Sequence, residues 1–451
     1  MKIIVVGDGK VGSTLVSQLA QEGHDVTVID NNPNVLRRST DTLDVMGVEG
    51  NGASYEVQME AGVNDADLLI AATNADELNI LACMLAKKLG AKHTIARVRN
   101  PEYTKQLQLM REELGLSMSI NPEYSAAVEI GRIIRFPSAI TMDSFAKGRV
   151  ELVEIKIGKG SPLIGKPLYT LGRTYNVKVL ICAVQRGSEV IIPSGHFVLE
   201  EGDKINITAD PKEIEQFFAA LGILKQRIRT AIIAGGGRIT YYLATILLQM
   251  GVKVKIIERD AARCEQLCEL VPKATIICGD ATDEELLLEE GIDGTDAFAA
   301  LIDNDEENII ISMYATSMGA NKVITKVNRL SFTGIMERAG IDSVISPKFI
   351  TADLIVRYVR AMQNSLGNNA ETLHKIVDNK VEAVEFIVRE QAPYLGKSLK
   401  ELKLKPDLLL ASIIRKGRPI VPRGDDTIEL GDSVVVVTST YALKDLSDIL
   451  A

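Results

Sequence analysis

A chain of 451 residues, 46% of them hydrophobic, has material for about three domains at roughly 150 residues each. Its net charge of −9 and its 4% aromatic content, without a single Trp, argue against nucleic acid or an anionic lipid surface as partner. No apolar run reaches the roughly 18 residues of a bilayer span, and the opening residues lead straight into a strand pattern, so a cytosolic chain without a signal peptide is expected. The five cysteines (Cys83, Cys182, Cys264, Cys268, Cys278) form no CxxC pair. Cys264 and Cys268 share a predicted helix face, but a metal site needs more ligands than these and no His is near. All five read as reduced, mostly packed thiols.

In chain order, Lys2–Val6 (KIIVV) is apolar without alternation, the pattern of a strand buried on both faces. Gly7-x-Gly9-x-x-Gly12 follows at once. Gly7 permits a tight turn, Gly9 leaves room for a pyrophosphate, and Gly12 lets a helix pack close to the strand. That helix is predicted over Ser13–Glu22, its N–H groups facing the phosphates. A second strand over Asp25–Ile29 ends in Asp30, 18 residues beyond Gly12, where a carboxylate accepts from ribose hydroxyls. Asn31 to Asn34 start a helix that runs to Asp41. A third strand is predicted over Leu43–Val48, followed by Gly50 and Asn51, and Tyr55–Ala61 reads as helical. Asp67–Ala72 reads as a fourth strand, ending in the polar loop Thr73-Asn74-Ala75-Asp76-Glu77, at the strand end where open parallel sheets bind ligands. A helix over Leu78–Leu89 leads to a strand over His93–Val98 that carries Arg97. This alternation makes a doubly wound parallel sheet. Asn121-Pro122 then breaks it before an apolar-faced helix over Tyr124–Ile134.

From Val150 the texture changes. Val150–Ile157 alternates with period two, predicting one face on a core and one in water. Strands over Val177–Val184, Glu189–Ile192 and Lys204–Thr208 complete a small α+β module ending near Ile223. Then the chain starts again. Gly235 and Glu258 each lie 228 residues after their counterparts Gly7 and Asp30, and Gly279-Asp280 and Ile302-Asp303-Asn304-Asp305-Glu306 lie 229 after theirs. Ser346-Pro347 answers Asn121-Pro122. In the small modules, Tyr394-Leu395-Gly396-Lys397 answers Leu163-Ile164-Gly165-Lys166, and Gly431-Asp432 answers Gly202-Asp203. The fold expected is therefore an internal duplication. Two Rossmann-like doubly wound domains (residues 1–123 and 228–348) alternate with two small α+β domains (140–226 and 368–451).

Catalytic signals are sparse. Gly160 to Lys166 fits a Walker A loop until Pro167 takes the position of the Mg²⁺-binding hydroxyl, and its repeat lacks the first glycine. His24, His93, His196 and His374 are scattered, with no Ser/His/Asp order. A dehydrogenase would need a proton donor beside the nicotinamide, and the small modules offer no clear donor pair. An NAD-dependent oxidoreductase stays open as the alternative, with the regulator of another cation channel or an antiporter. Asp30 is followed by Asn31 and Asn32, with no basic residue before Arg37, so NAD(H) is expected over NADP(H).

The paired GDGKVG…VID and GGGRIT…IIE units, each followed by a β-rich module, resemble the KTN/RCK (regulator of potassium conductance) family in its tandem form. The resemblance spans essentially the whole chain. It implies a non-catalytic cytosolic regulator, peripheral at the inner face of the cell membrane through a separate potassium-transporting membrane subunit. Such a protein senses NAD(H), with ATP or ADP at one or both sites, and assembles as a homo-oligomeric ring, here a tetramer of tandem chains. On this resemblance the first site uses Gly7, Asp8, Gly9, Lys10, Val11 and Gly12 around pyrophosphate and Asp30 on ribose. Asn51, Thr73, Asn74 and Arg97 complete it. The second uses Gly235, Gly236, Gly237, Arg238 and Ile239 with Glu258, Asp280, Asp303 and Lys326. Thr240 in place of the third glycine, and Lys326 in place of Arg97, predict a weaker second site.

Overall fold

The structure is a computed structural model. It describes residues 1–103, 106, 113–135, 140–146, 148–222, 228–329, 336, 340–341, 343–364, 370–377, 380–439, 443 and 445–450. The expected module ends at 223, 226 and 368, and residue 451, lie outside the described residues.

Six strands, β1 (Lys2–Val6), β2 (Asp25–Asp30), β3 (Met46–Glu49), β4 (Leu68–Ala71), β5 (His93–Arg97) and β6 (Met118–Ile120), form a sheet in the order β3-β2-β1-β4-β5-β6. Every pair is parallel. This is the doubly wound order, with its topological switch between β1 and β4. The apolar run of β1 is buried from Ile3 to Val6 because helices cover both faces. Helix Lys10–Gln21 buries Val11, Leu15, Val16 and Leu19, and helix Asp76–Leu89 buries Ala82, Cys83 and Ala86.

An antiparallel sheet follows: β7 (Thr141–Phe145), β8 (Val150–Lys156), β9 (Leu180–Arg186), β10 (Glu189–Ile191) and β11 (Lys204–Ala209), in the order β10-β9-β11-β8-β7. The pattern then repeats. Strands β12 (Thr230–Ala234), β13 (Lys253–Glu258), β14 (Thr275–Cys278), β15 (Ala297–Ala300), β16 (Lys322–Lys326) and β17 (Ser343–Ile345) form a second parallel sheet, β14-β13-β12-β15-β16-β17. Strands β18 (Ala370–Ile376), β19 (Val381–Ile387), β20 (Leu408–Arg415), β21 (Arg418–Ile420) and β22 (Ser433–Thr438) form a second antiparallel one, β18-β19-β22-β20-β21. Both parallel sheets belong to one compact unit, residues 1–130 and 230–356. Both antiparallel sheets belong to another, 131–229 and 357–451.

Several sequence expectations shift. The first helix starts at Lys10, inside the glycine motif, rather than at Ser13. The third strand starts at Met46, because Leu43 still donates back to Ser39 as a helix cap. Asn121-Pro122 starts a helix rather than only ending a domain: Pro122 is its first residue, and Asn121 Oδ1 accepts the Tyr124 N–H at 2.9 Å. The strand predicted from Val177 begins at Leu180, and β6 and β7 are additions.

The expectation of a solvated face for Val150–Ile157 is corrected. Val153, Ile155 and Ile157 pack into their own module's core with Phe217 and Phe218. Val150 and Leu152, on the opposite face, join Phe145, Val381, Ala383, Val435 and Val437 in a core shared by the two small modules. Glu385, buried on that shared face, accepts the Ala146 N–H at 3.1 Å and the Ser433 hydroxyl at 2.5 Å. Alternation tells two faces apart but not what covers the second one.

The Walker-like loops are structural. Ile164 bridges to Leu199 and Leu395 to Ile428, and the first loop is followed by a 3-10 turn and the five-residue helix Leu171–Tyr175. The repeated Gly-Asp turns have a shared purpose. Asp203, almost wholly buried, is gripped by Arg186 through Nε (2.9 Å) and Nη2 (2.8 Å), and Arg415 grips Asp432 at 3.0 and 2.8 Å.

Candidate functional site

The site lies at the carboxyl ends of the two parallel sheets. In each, the glycine turn leaves the central strand with positive φ, +93° at Gly7 and +97° at Gly235. The turn is tied back to the second strand, Gly7 N to Ile29 O and Gly235 N to Ile257 O, both at 2.8 Å. A Cβ on Gly9 or Gly237 would meet nothing within 4 Å, leaving at the N-terminus of each following helix the space a pyrophosphate requires. At Gly12 a Cβ would stand 1.8 Å from the Gly7 carbonyl oxygen. The second half solves the same approach differently. Thr240, wholly buried, donates its hydroxyl to the Gly235 carbonyl at 2.6 Å, so a hydrogen bond stands where the first half has bare backbone contact.

The two acids expected to meet ribose are built identically. Asp30 accepts from Asp8 N (2.6 Å) and Asn32 N (2.8 Å), and Glu258 accepts from Gly236 N (2.6 Å) and Asp260 N (2.8 Å). These bonds fix the carboxylates in place and leave further lone pairs for hydroxyl donors. Around them the halves diverge. The first has a second acid, Asp8, buried, bonded to the Ser39 hydroxyl at 2.7 Å and with its Oδ1 unpartnered. Burial pushes this carboxyl up, Ser39 opposes the rise, and Asp30 adds to it. The second half has Gly236 there, and its carbonyl receives Arg263 Nε at 2.7 Å. Asn51 and Asp280 close the turns after the third strands, accepting Ala53 N at 3.0 Å and Thr282 N at 2.9 Å.

The loop after each fourth strand is held by a buried asparagine that the sequence reading did not single out. Asn79 accepts Thr73 N and donates to Thr73 O and Arg97 O; Asn308 does the same with Ile302 N, Ile302 O and Lys326 O. Asp76 and Asp305 likewise fold back onto the chain after the fifth strand, each accepting two backbone N–H groups.

The two cations expected to meet phosphate differ sharply. Arg97 is largely buried and its Nε has no partner. Burial pushes its guanidinium down, Arg99 and Arg238 add to this, and Glu123 and Asp76 oppose it. Arg99 donates to the Asn74 carbonyl. Lys326 is instead paired with Asp303 at 2.9 Å, so a loop acid already satisfies the second half's cation. Lys326 holds the Asp303 carboxyl below the usual range by hydrogen bond and charge.

A cavity of about 810 Å³ takes residues from both halves. The first half contributes Gly9, Lys10, Val11, Asn74 and Arg97. From the second come Gly235 to Ile239, with Glu258, Asp280, Asp303 and Lys326. Gly7, Asp8, Gly12, Asp30, Asn51 and Thr73 do not line it, so the cavity takes every residue expected of the second site and only part of the set expected of the first. It also includes Arg99, Glu123, Arg259 and Lys348, which the sequence reading missed. Arg259 was the legible one, since it directly follows the ribose acid Glu258 where the first half has Asn31.

Comparison with known proteins agrees with this duplication. The family model for the TrkA-N domain matches residues 3–122 and 231–347, and that for the TrkA-C domain matches 152–222 and 383–451. The chain is 35% identical over 449 residues to the Trk system potassium uptake protein TrkA homolog of Archaeoglobus fulgidus, covering 100% of both chains. It is 34% identical to the Trk system potassium uptake protein TrkA of Vibrio alginolyticus, over 97% of this chain and 95% of that one. Among solved structures it is similar to the GsuK RCK domain (TM-score 0.64, 18% identity, 97% of this chain and 92% of that one). The GsuK channel bound to NAD matches at TM-score 0.63 and 18% identity, over 97% of this chain and 77% of that one. At that identity the likeness is one of fold.

Proposed function

The chain belongs to the TrkA family, with TrkA-N and TrkA-C domains in tandem, and from that premise we propose that it is a cytosolic regulatory subunit of a potassium uptake system. It senses NAD(H), with ATP or ADP at one or both sites, and gates a separate potassium-transporting membrane subunit. Residues 1–123 and 228–348 are its sensor domains, and 140–226 and 368–451 its companion domains. It works as a homo-oligomeric ring of tandem chains at the inner face of the cell membrane. Among the described residues, no helix is long and apolar enough to cross a membrane.

The observation that supports this best is the cavity itself. Glycine loops from both halves open onto it, together with Arg97 from one half and Glu258 from the other. A nucleotide there touches both halves, so its binding free energy depends on their arrangement. A preference of about 1.4 kcal/mol for one arrangement shifts its population tenfold. The residues fit NAD(H): open space at Gly9 and Gly237, a ribose acid preset by backbone N–H groups, and a buried guanidinium with an unpartnered nitrogen. The deciding experiment co-purifies the chain with its potassium-transporting subunit and measures potassium flux in vesicles with and without NADH and ADP. Nucleotide-dependent flux supports the reading; steady oxidation of NADH by carbonyl substrates would replace it with an oxidoreductase.

A further inference from the structure

We propose that Cys264 and Cys278, beside the second half's ribose acid, form a peroxide-oxidisable thiol pair whose disulfide weakens nucleotide binding in that half. The five cysteines fall into two groups. Cys83 and Cys182 are wholly buried, hydrogen-bonded to the Ile95 and Asn206 carbonyls, with burial pushing both thiols up to about 12; they are packing groups. Cys264, Cys268 and Cys278 lie together on one flank of the second parallel sheet, at the positions that Leu36, Thr40 and Glu49 occupy in the first. The trio is therefore a property of one half.

Its geometry centres on Glu258. Strand β14 pairs with β13 so that Cys278 is the register partner of Glu258. The Glu258 carbonyl accepts two donors, the Gly279 N–H at 2.9 Å and the Cys264 thiol at 3.2 Å. The Cys264 thiol thus reaches the end of β13, beside the strand position that Cys278 occupies on β14. Burial pushes Cys264 up to about 11, with Cys278 the next contributor. Cys278 is exposed and Cys264 buried, which divides the work between an accessible nucleophile and a resolving thiol behind it. In a reducing cytosol such a pair rests as thiols and is oxidised only transiently.

The step balances with a peroxide as oxidant. The Cys278 sulfur attacks the O–O bond; one oxygen stays as the sulfenic acid, and the other leaves as water with the thiol proton. The Cys264 sulfur then attacks the Cys278 sulfur, the S–O bond breaks, and a second water departs with the Cys264 proton. Two thiols and one hydrogen peroxide become one disulfide and two waters. The bond takes the Cys264 thiol off the Glu258 carbonyl and fixes the residue that leads into Gly279, Asp280 and Ala281, which line the cavity together with Glu258.

The nucleotide part rests on the proposed function, so the test separates the two. Full-length protein, and its Asp30→Ala form to report the second half alone, is treated with stoichiometric hydrogen peroxide. Disulfides are mapped by mass spectrometry and ADP is titrated before and after dithiothreitol. A Cys264–Cys278 bond is expected in the wild type and in Cys268→Ser but not in Cys278→Ser, with ADP affinity falling about tenfold and recovering on reduction. Over-oxidation of Cys278 without a cross-link, a bond through Cys268, or unchanged ADP affinity in the cross-linked protein would overturn the proposal. If the reduced protein binds no ADP, the sensor reading fails, while the disulfide map still decides the thiol pair.

Discussion

The two halves share most backbone devices and differ in several of the charges around them. Both turn at a positive-φ glycine, both fix an acid at the end of the second strand with two backbone N–H groups, and both clamp the fourth-strand loop with a buried asparagine. Around that frame, the first half has a second acid at the ribose and an arginine with an unpartnered nitrogen at the phosphates. The second has Arg259 and Arg263 near the ribose and a lysine already paired with Asp303. Duplication preserved what the chain needs to fold and varied what a ligand would feel. The comparison can be broken at four points.

The largest effect is expected where backbone meets backbone. Gly12→Thr copies the second half's residue into the first, where a Cβ stands 1.8 Å from the Gly7 oxygen. It should destabilise the first half by about 3 kcal/mol, the upper range for overpacking, and abolish its NADH binding. Thr240→Gly removes one hydrogen bond and should cost only about 1 kcal/mol. Denaturant unfolding of both variants checks this; equal losses would mean that the helix is free to move in the first half as well.

Where the repeats agree, effects should agree. Arg186→Ala and Arg415→Ala each strand a buried aspartate. Each should cost about 2 kcal/mol, below the full figure for a buried pair because the arginines are partly exposed. Burial pushes Asp203 up, but the Arg186 hydrogen bonds, the Glu200 N–H and the Arg186 charge together hold it below its usual range. Its folded pKa is thus lower than its unfolded one, so this stabilisation is complete above about pH 4 and disappears as pH falls through the folded value. Acid unfolding of wild type and Arg186→Ala should converge at low pH.

Much of this was legible in the sequence. Strand periods, the glycine motif, the acids Asp30 and Glu258 and the offset of 228 residues come from local patterns that tertiary contacts did not override. What escaped was relational. The partner of β8's second face is another module, which no period encodes. Asn79 and Asn308 look like ordinary helix residues until the loop folds over them. The pairing of Lys326 with Asp303 joins two residues that the sequence offered as separate ligand contacts. Thr240, expected to weaken the second site, donates a hydrogen bond to the glycine turn.

The ribose acids come next in size. Asp30→Ala should weaken NADH binding about thirtyfold, the loss of a charge-assisted hydrogen bond worth about 2 kcal/mol, while Glu258→Ala leaves the tight phase unchanged. NADPH should bind the first half more weakly than NADH, since the 2′-phosphate would face Asp30 and Asp8, and no basic residue follows Asp30 before Arg37. Arg259 and Arg263 make the second half the more tolerant one. Calorimetry on the intact chain and its two variants reads both expectations; a tight phase that follows Glu258 would reverse the assignment.

The smallest expected effect concerns Lys326. Its ammonium is buried while Asp303 is wholly exposed, so the lysine gives up water and recovers one carboxylate contact and a longer bond to the Leu301 carbonyl at 3.5 Å. An anionic ligand arriving there must compete with that carboxylate. Asp303→Asn removes the competitor's charge and leaves the scaffold intact, because Asn308 and Asp305 hold the loop independently. ADP should then bind the second half about fivefold more tightly, equivalent to about 1 kcal/mol, with a steeper loss of affinity at high salt as the freed charge is screened. Asn74, the corresponding residue of the first half, supplies the control: Asn74→Asp should place a carboxylate within reach of Arg97 and weaken that site by a similar factor. An Asp303→Asn variant with unchanged affinity would show that Lys326 serves the loop rather than the ligand, and the difference at this end of the two sites would then rest on Arg97.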